Sequence, residues 1–240
     1  MRWDTPRPRS GILGIVTGPS PRATRMLARG RRDEVPRLAR RDRLAALLER
    51  EEAPVLQGWL ELEERYGGTT FHPRGGRQVR FGIADLGDPI VRRGAEGWLA
   101  ECCEVDVEPP FHLLADPTWR LFAGDRYAEF AVADSVERWI ESLAMEDELA
   151  DLGVVWAASF GSVPRGDRRL LEALGPPEAE ASDGFTRWWD GPARVRAARP
   201  WHPAAAHEVV HAWAFSAGAA RALVALLRET AGLEPSRPPP

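Results

Sequence analysis

The sequence predicts an α+β fold in which helices flank a mixed or antiparallel sheet. Apolar residues recur at spacings of three and four over residues 54–66, which indicates an amphipathic helix. Apolar alternation broken by turn residues then continues to about residue 132, as in a run of short strands. A second helix begins at Asp134 or Ser135, both good N-cap residues, and extends to about Leu149.

Residues 1–36 form the first predicted segment, a flexible arm. They combine many arginines with five prolines and show little apolar periodicity, so at most a short strand at 11–16 is expected. A helix is predicted over 42–52. The amphipathic helix over 54–66 ends at Gly67-Gly68, where glycine provides a C-cap.

The strands of the main domain, residues 37–150, follow that helix. They are predicted at residues 69–71, 79–83, 97–99, 111–114, 119–122 and 127–132. The first two pair as a hairpin, and the last two flank Gly124-Asp125, which suits a tight turn. Most of residues 85–110 is interpreted as a variable acidic loop. The closing helix would turn Val136, Trp139, Ile140 and Leu143 inward.

Residues 151–232 are predicted to form an additional small α/β unit. Its elements are a strand at 154–160, a helix at 168–174, a linker at 175–184 and an extended segment at 187–197. A last ordered segment runs from about residue 204 to 230. Residues 233–240 are rich in proline and are expected to be a disordered tail.

The charge is unevenly distributed along the chain. All 32 basic side chains are arginines, which we attribute to a GC-rich genome. Residues 1–50 hold 13 arginines and 5 acids, whereas residues 51–240 have a net charge of −12. This asymmetry indicates a basic arm attached to an acidic body. A solvated arm is preferred, and direct contact of the arm with nucleic acid is the alternative.

Composition excludes the membrane and disulfide-rich classes. Apolar runs are broken within a few residues by Gly, Arg or acids, so no segment has the length of a membrane span. Residues 11–16 are shorter than the apolar region of a signal peptide. The only cysteines, Cys102 and Cys103, are adjacent and match no zinc spacing. We therefore expect a cytoplasmic protein with reduced cysteines and no cofactor.

Residues 207–211 match the HExxH signature of zinc hydrolases. On a helix, His207 and His211 would lie on one face and ligate zinc, and Glu208 would act as the general base. Glu229 is the obvious third ligand. In one continuous helix it would lie roughly 27 Å from His211, too far to share a metal ion.

The alternative conformation for this segment is a strand. His207, Val209 and His211 alternate with smaller or acidic residues, and a period of two is typical of β-structure. Ser216 then makes a good N-cap for a separate helix over 219–228. The strand is the preferred prediction, and a zinc-dependent hydrolase is kept as the alternative function.

Roughly residues 42–150 resemble the SUKH superfamily of bacterial immunity proteins. The resemblance rests on the helix end Glu63-Glu64-Arg65-Tyr66-Gly67-Gly68 followed at once by strands, on the hairpin at Leu121-Phe122-Ala123-Gly124-Asp125, and on the closing helix over 135–146. It implies a SUKH-like sheet flanked by helices. The arm and residues 151–232 lie outside the resemblance.

The resemblance implies a non-catalytic protein that binds and neutralises a cognate toxin. Residues 129–151 hold eight acids and one arginine, which predicts an acidic surface that attracts a basic toxin or nuclease. Two tryptophans in loops or extended segments are added as interface anchors. The predicted partner-binding residues are Glu137, Glu141, Glu146, Asp147, Glu148, Trp98 and Trp119.

Overall fold

The computed structural model describes residues 18–33, 42, 46, 56–82, 91–94, 97–106, 111–124, 129–202 and 205–240. Over these residues the chain forms five helices and two antiparallel sheets, which confirms the predicted α+β class. The strand expected at 11–16 lies outside the described residues, as does nearly all of the helix expected at 42–52.

Capping residues explain where the helices begin and end. The helices are α1 (Pro21–Ala28), α2 (Leu56–Tyr66), α3 (Val136–Glu148), α4 (Arg168–Leu174) and α5 (Ala217–Ala231). Ser135 caps α3 and Ser216 caps α5, each accepting a hydrogen bond from the backbone N–H three residues later. Gly68 follows α2 with a φ of 74°, which glycine adopts without strain. The predicted helices at the positions of α2, α3 and α4 are confirmed.

The first sheet is an antiparallel meander. Its strands are β1 (Arg31–Arg32), β2 (Thr69–Phe71), β3 (Val79–Phe81), β4 (Val91–Gly94), β5 (Gly97–Val105), β6 (Phe111–Ala115), β7 (Leu121–Gly124) and β8 (Glu129–Ala133). Their order is β1-β2-β3-β5-β6-β7-β8, and β4 also pairs with β5. The predicted hairpins β2–β3 and β7–β8 are confirmed by their pairing.

Strand β5 corrects the prediction of an acidic loop over 85–110. It has nine residues, pairs with β3 and β4 on one side and with β6 on the other, and buries both cysteines as free thiols. The acidic residues of β5 led to the interpretation of this segment as a loop. Glu101 is 6% exposed and contacts His112 of β6, and Glu104 lies opposite Arg80 of β3.

The second sheet has four strands in the order β10-β11-β12-β9. They are β9 (Trp156–Pro164), β10 (Thr186–Trp189), β11 (Ala193–Ala198) and β12 (His207–Ala214). Helices α4 and α5 cover one face, where Phe160, Val195 and Val210 form a core with Leu223 and Leu227 of α5. This is the additional C-terminal unit that the sequence predicts.

Helix α3 lies between the two sheets. Val136, Trp139 and Ile140 on one side belong to the core of the first sheet. Met145 on the other side packs with Trp188 of β10, whose indole N–H also donates to Ser142 Oγ at 2.8 Å. The helix therefore joins the two sheets and forms one wall of the space between them.

The arm predicted over residues 1–36 is folded where it is described. Ser20 caps α1, and its backbone N–H and hydroxyl both donate to the Glu141 carboxylate, at 2.7 and 2.6 Å. Ala23 and Met26 are buried in the first core, and β1 pairs with β2. The arm folds because α3 supplies an apolar surface and carboxylates that match its arginines.

The tail predicted to be disordered over 233–240 packs against the edge strand β9. Leu233 is buried in the second core. The backbone N–H of Ser236 donates to the Ser159 carbonyl at 2.7 Å, and the Trp156 indole donates to the Pro238 carbonyl at 3.0 Å. An edge strand has unpaired backbone groups, and the tail satisfies some of them.

Candidate functional site

Every carboxylate of helix α3 forms an ion pair with arginine. The pairs are Glu137 with Arg65, Glu141 with Arg22, Glu146 with Arg196, Asp147 with Arg29 and Arg74, and Glu148 with Arg25 and Arg194. We call these contacts the α3 ion pairs. They connect α3 to α1, to α2, to the β2–β3 turn and to β11, so the most acidic helix is also the most cross-linked.

Helix α1 supplies three of these arginines from one face. Arg22, Arg25 and Arg29 are spaced by three and four residues, so they lie along a single side of the helix. Arg25 approaches Glu148 to 2.7 Å. The positive charges of these three arginines are therefore balanced within the molecule. The alternative in which the arm binds nucleic acid would have to break these pairs.

Asp147 is the most enclosed of the paired carboxylates. Its side chain is 3% exposed, accepts a hydrogen bond from the Arg74 backbone N–H at 2.7 Å, and contacts the Arg29 guanidinium. Burial alone would raise the pKa of Asp147, but these hydrogen bonds outweigh it and lower the pKa below its usual value. The carboxylate is thus held ionised as an internal link between α3, α1 and the β2–β3 turn.

The predicted acidic surface is therefore not a free surface. Of its carboxylates, Glu141 and Asp147 are buried, and Glu137, Glu146 and Glu148 are half-buried in ion pairs. Long-range attraction from this helix is reduced, because each negative charge has a positive neighbour within hydrogen-bonding or ion-pair distance.

The two predicted tryptophan anchors also pack inward. Trp98 is half-buried against Trp59 and Ala100. Trp119 is half-buried on the first core, and its indole donates to the Gly58 carbonyl at 2.6 Å. Both residues join α2 to the sheet. The structure places the most exposed tryptophan that it describes elsewhere, at Trp201, which is 43% exposed.

The HExxH segment is strand β12, as the period of two predicts. Alternation puts His207 and His211 on one face and Glu208 on the other, so the helical zinc arrangement is not formed. Glu208 is 2% exposed and pairs with Arg187 of β10 across the strand between them. The residues that the structure describes contain no group of three or more possible metal ligands.

His211 contacts Ser159 of the neighbouring strand. A hydrogen bond of 3.0 Å joins Ser159 Oγ to His211 Nδ1, at a point where the two residues are register partners. Burial, followed by the charge of Arg196, lowers the pKa of His211. The neutral ring can then accept the serine proton, but no carboxylate of the described residues contributes to that pKa.

This pair belongs to a sheet face that α3 leaves uncovered. The open face consists of Val155, Ala157, Ser159, Val209, His211 and Trp213, on strands β9 and β12 and the residue before β9. A shallow depression of about 380 Å³ lies on it, bordered by the tail residues Ser236 and Arg237. Val155 is 56% exposed, and nearby Leu152 is 39% exposed.

A second concave feature, the cleft, lies between the two sheets and has a volume of about 390 Å³. One wall is α3 with parts of the first sheet, and the other is the β10–β11 side of the second sheet. Val79, Val105 and Leu143 line its apolar part, and Trp139 and Trp201 contribute aromatic rings. Clefts between structural units are common places for ligand sites.

Four arginines from separate segments line the cleft. Arg196 contacts Glu146, while burial lowers the pKa of Arg196 to about 10. Arg138 donates to the carbonyls of Ala179 and Ser182, and Arg199 donates to the Ala205 carbonyl at 3.0 Å. Arg77 is exposed and forms no hydrogen bond or ion pair with the described residues. Their positive charges are thus only partly balanced.

The two acids of the cleft, Glu146 and Asp183, compensate only part of the charge of its four arginines. Glu146 is engaged by Arg196. Asp183 accepts hydrogen bonds from the backbone N–H groups of Asp134, Phe185 and Thr186, at 2.9, 2.7 and 2.8 Å. Burial raises the pKa of Asp183, in spite of these bonds. Arg77, Arg138 and Arg199 therefore have no carboxylate partner within the described chain.

Sequence reasoning does not identify the cleft. Its arginines are at positions 77, 138, 196 and 199, so only the tertiary fold brings them together. The local signal at β11 is an Arg-Val-Arg alternation, which puts Arg194 and Arg196 on the face toward α3. Nothing comparable marks Arg77 or Arg138.

Comparisons with protein-family models, with curated proteins and with solved structures gave no match to this chain. The resemblance to the SUKH superfamily accordingly stays a prediction. Among the described residues, no helix is long and apolar enough to cross a membrane.

Proposed function

We propose that the protein is a non-catalytic, immunity-type binding protein that neutralises a cognate toxin docked on its open face. The observation that carries the docking site is the exposure of Val155, just before β9, on the uncovered half of the second sheet that also holds Trp213 and His211. The chain order of α2, the antiparallel meander and α3 supports the immunity-type assignment, because it is the order that the SUKH resemblance implies.

The composition of the open face suits a protein partner. An antiparallel sheet can leave one face to solvent, and here α4 and α5 cover one face while α3 covers only the β10–β11 half of the other. Trp213 stacks on Trp188 with ring centroids 5.7 Å apart, so its indole is held in place before any partner arrives. Rigid aromatic residues beside a depression are typical of the residues that dominate binding energy.

The attraction of the partner does not come from the predicted acidic helix, because the α3 ion pairs engage its carboxylates. The open face instead offers apolar contact together with the Ser159 and His211 polar groups. A toxin segment that places an apolar side chain in the depression and a polar group near His211 would match it.

The test is complex formation between this chain and candidate toxin domains from its genomic neighbourhood. We expect a 1:1 complex by size-exclusion chromatography and protection of cells that express the toxin. Val155→Glu puts a charge on the open face and should weaken binding at least tenfold. Leu171→Glu is the matched control, because Leu171 is 38% exposed on α4, away from the open face.

Two results would contradict the proposal. One is the absence of both complex and protection with the wild-type chain. The other is equal binding by the Val155→Glu variant and the wild-type protein when circular dichroism shows that both are folded.

A further inference from the structure

We infer that the cleft between α3 and the second sheet binds a nucleoside polyphosphate, an organic polyanion that carries a flat ring. The inference goes beyond the proposed function, because it concerns a different surface from the open face. It can be tested on the purified chain without any protein partner.

The charge of the cleft favours a polyanion. Arg77, Arg138 and Arg199 lack carboxylate partners among the described residues, and four arginines against two acids leave the cleft lining with an excess of positive charge. This excess of positive charge occurs in a protein whose net charge is −4. It is therefore a local feature of the cleft and not a consequence of overall composition.

The surroundings of these arginines strengthen their interaction with an anion. Val79, Val105 and Leu143 form apolar walls, which reduce the screening of charges within a concave surface. A guanidinium group donates two parallel hydrogen bonds and matches the geometry of phosphate oxygens. Three such groups on separate segments suit a chain of phosphates better than a single carboxylate.

Aromatic residues of the cleft match the flat ring of the ligand, as the arginines match its phosphates. Trp201 is 43% exposed and lines the cleft together with Trp139, which is 8% exposed. Indole rings stack on flat heterocycles, and such stacking contributes to the binding of nucleic-acid bases. A volume of about 390 Å³ is within the range of small-molecule sites.

The Ser142 hydroxyl adds a polar group to the same wall. Its oxygen accepts a hydrogen bond from the Trp188 indole at 2.8 Å, so its own proton is left to donate. Ser142 is half-buried on α3, on the side that lines the cleft. A ribose hydroxyl or a phosphate oxygen could accept that proton.

The experiment is calorimetric titration of the purified chain with ATP, adenosine and inorganic tripolyphosphate in 50 mM salt. We expect saturable 1:1 binding of ATP, weaker binding of tripolyphosphate and none of adenosine. Raising the salt to 200 mM should weaken ATP binding several-fold, because the attraction is electrostatic.

Variants assign the binding to the cleft. Arg77→Glu should weaken ATP binding at least tenfold, and it should leave the fold intact because Arg77 has no contact to lose among the described residues. Arg168→Glu is the matched control, since Arg168 is exposed on α4 and does not line the cleft. Trp201→Ala should weaken binding of ATP but not of tripolyphosphate.

Three outcomes would overturn the inference. These are a lack of saturable ATP binding at 50 mM salt, equal losses in the Arg77→Glu and Arg168→Glu variants, and tripolyphosphate binding as tight as that of ATP. None of them bears on toxin binding at the open face, which has its own test.

Discussion

The arginines on the two sides of helix α3 differ in what balances their charge. On the side of α1, Arg22, Arg25 and Arg29 each meet a carboxylate of α3. On the side of the cleft, Arg196 also pairs with α3 through Glu146, whereas Arg77, Arg138 and Arg199 meet carbonyl groups or no described partner. Arginine therefore occurs in two settings in this molecule, one with a carboxylate partner and one without.

This difference determines where a substitution should be detected. An arginine that closes an ion pair with a buried carboxylate contributes to the free energy of unfolding, because its loss leaves the carboxylate with fewer partners. An arginine without a carboxylate contributes little to stability and much to the binding of an anion.

The largest effect is expected from removal of Asp147. Asp147→Ala leaves the Arg74 backbone N–H and the Arg29 guanidinium without this acceptor, while the Arg74 guanidinium keeps only Asp151. Because the two arginine side chains are 42% and 36% exposed and can turn to water, we expect a loss of about 2 kcal/mol in the free energy of unfolding. Urea denaturation measures it.

The control for this change is Glu229→Ala on α5. Glu229 is exposed, so its removal should change the free energy of unfolding by less than about 0.5 kcal/mol. If the two variants were equally stable, the view of the α3 ion pairs as a link between elements would be wrong.

A smaller effect is expected from acid. The pKa of Asp147 is lower in the folded protein than in the unfolded chain, and a hydrogen bond from Arg74 also lowers the pKa of Asp151. The unfolded chain then binds more protons, so this stabilisation is present above about pH 4 and is lost as the pH falls further.

Urea denaturation at pH 5, 4 and 3 tests this sign. The wild-type protein should lose stability over that interval more steeply than Asp147→Ala, in which the contribution of Asp147 is absent. The comparison between the two proteins cancels other carboxylates, including Asp183, whose raised pKa acts in the opposite direction. Parallel pH profiles would contradict the assignment.

Much of the fold follows from local sequence patterns. Helix α3 combines a serine cap with an inward face of Val136, Trp139 and Ile140, and both features are local. Strand β12 is evident from a period of two, although it contains the HExxH sequence. Such elements can be predicted because the spacing of apolar residues within each segment indicates which face is buried.

The arm shows where local patterns are insufficient. Ser20 and Pro21 are a recognisable helix start, and Arg22, Arg25 and Arg29 share a face, but arginine and proline in abundance also indicate disorder. Whether this segment is helical or disordered depends on the acidic helix α3, which lies more than 100 residues later in the chain. For the three arginines that pair with α3, the charge asymmetry of the sequence reflects contacts within the molecule.

The candidate sites depend even more on tertiary structure. The cleft combines residues from the β2–β3 connection, α3 and β11, and the open face exists only because α3 covers half of a sheet. The predicted acidic surface had the correct residues on one helix. The sequence does not show that arginines of four other elements pair with these carboxylates.

The most direct test of the contrast compares Arg29→Ala with Arg77→Ala by equilibrium urea denaturation at pH 7. Arg29 contacts a carboxylate that is 3% exposed, so its loss should cost about 1 kcal/mol. Arg77 has no partner in the described structure, so its loss should cost less than about 0.3 kcal/mol. Equal losses, or a larger loss for Arg77→Ala, would contradict the division of the arginines into structural and ligand-binding groups.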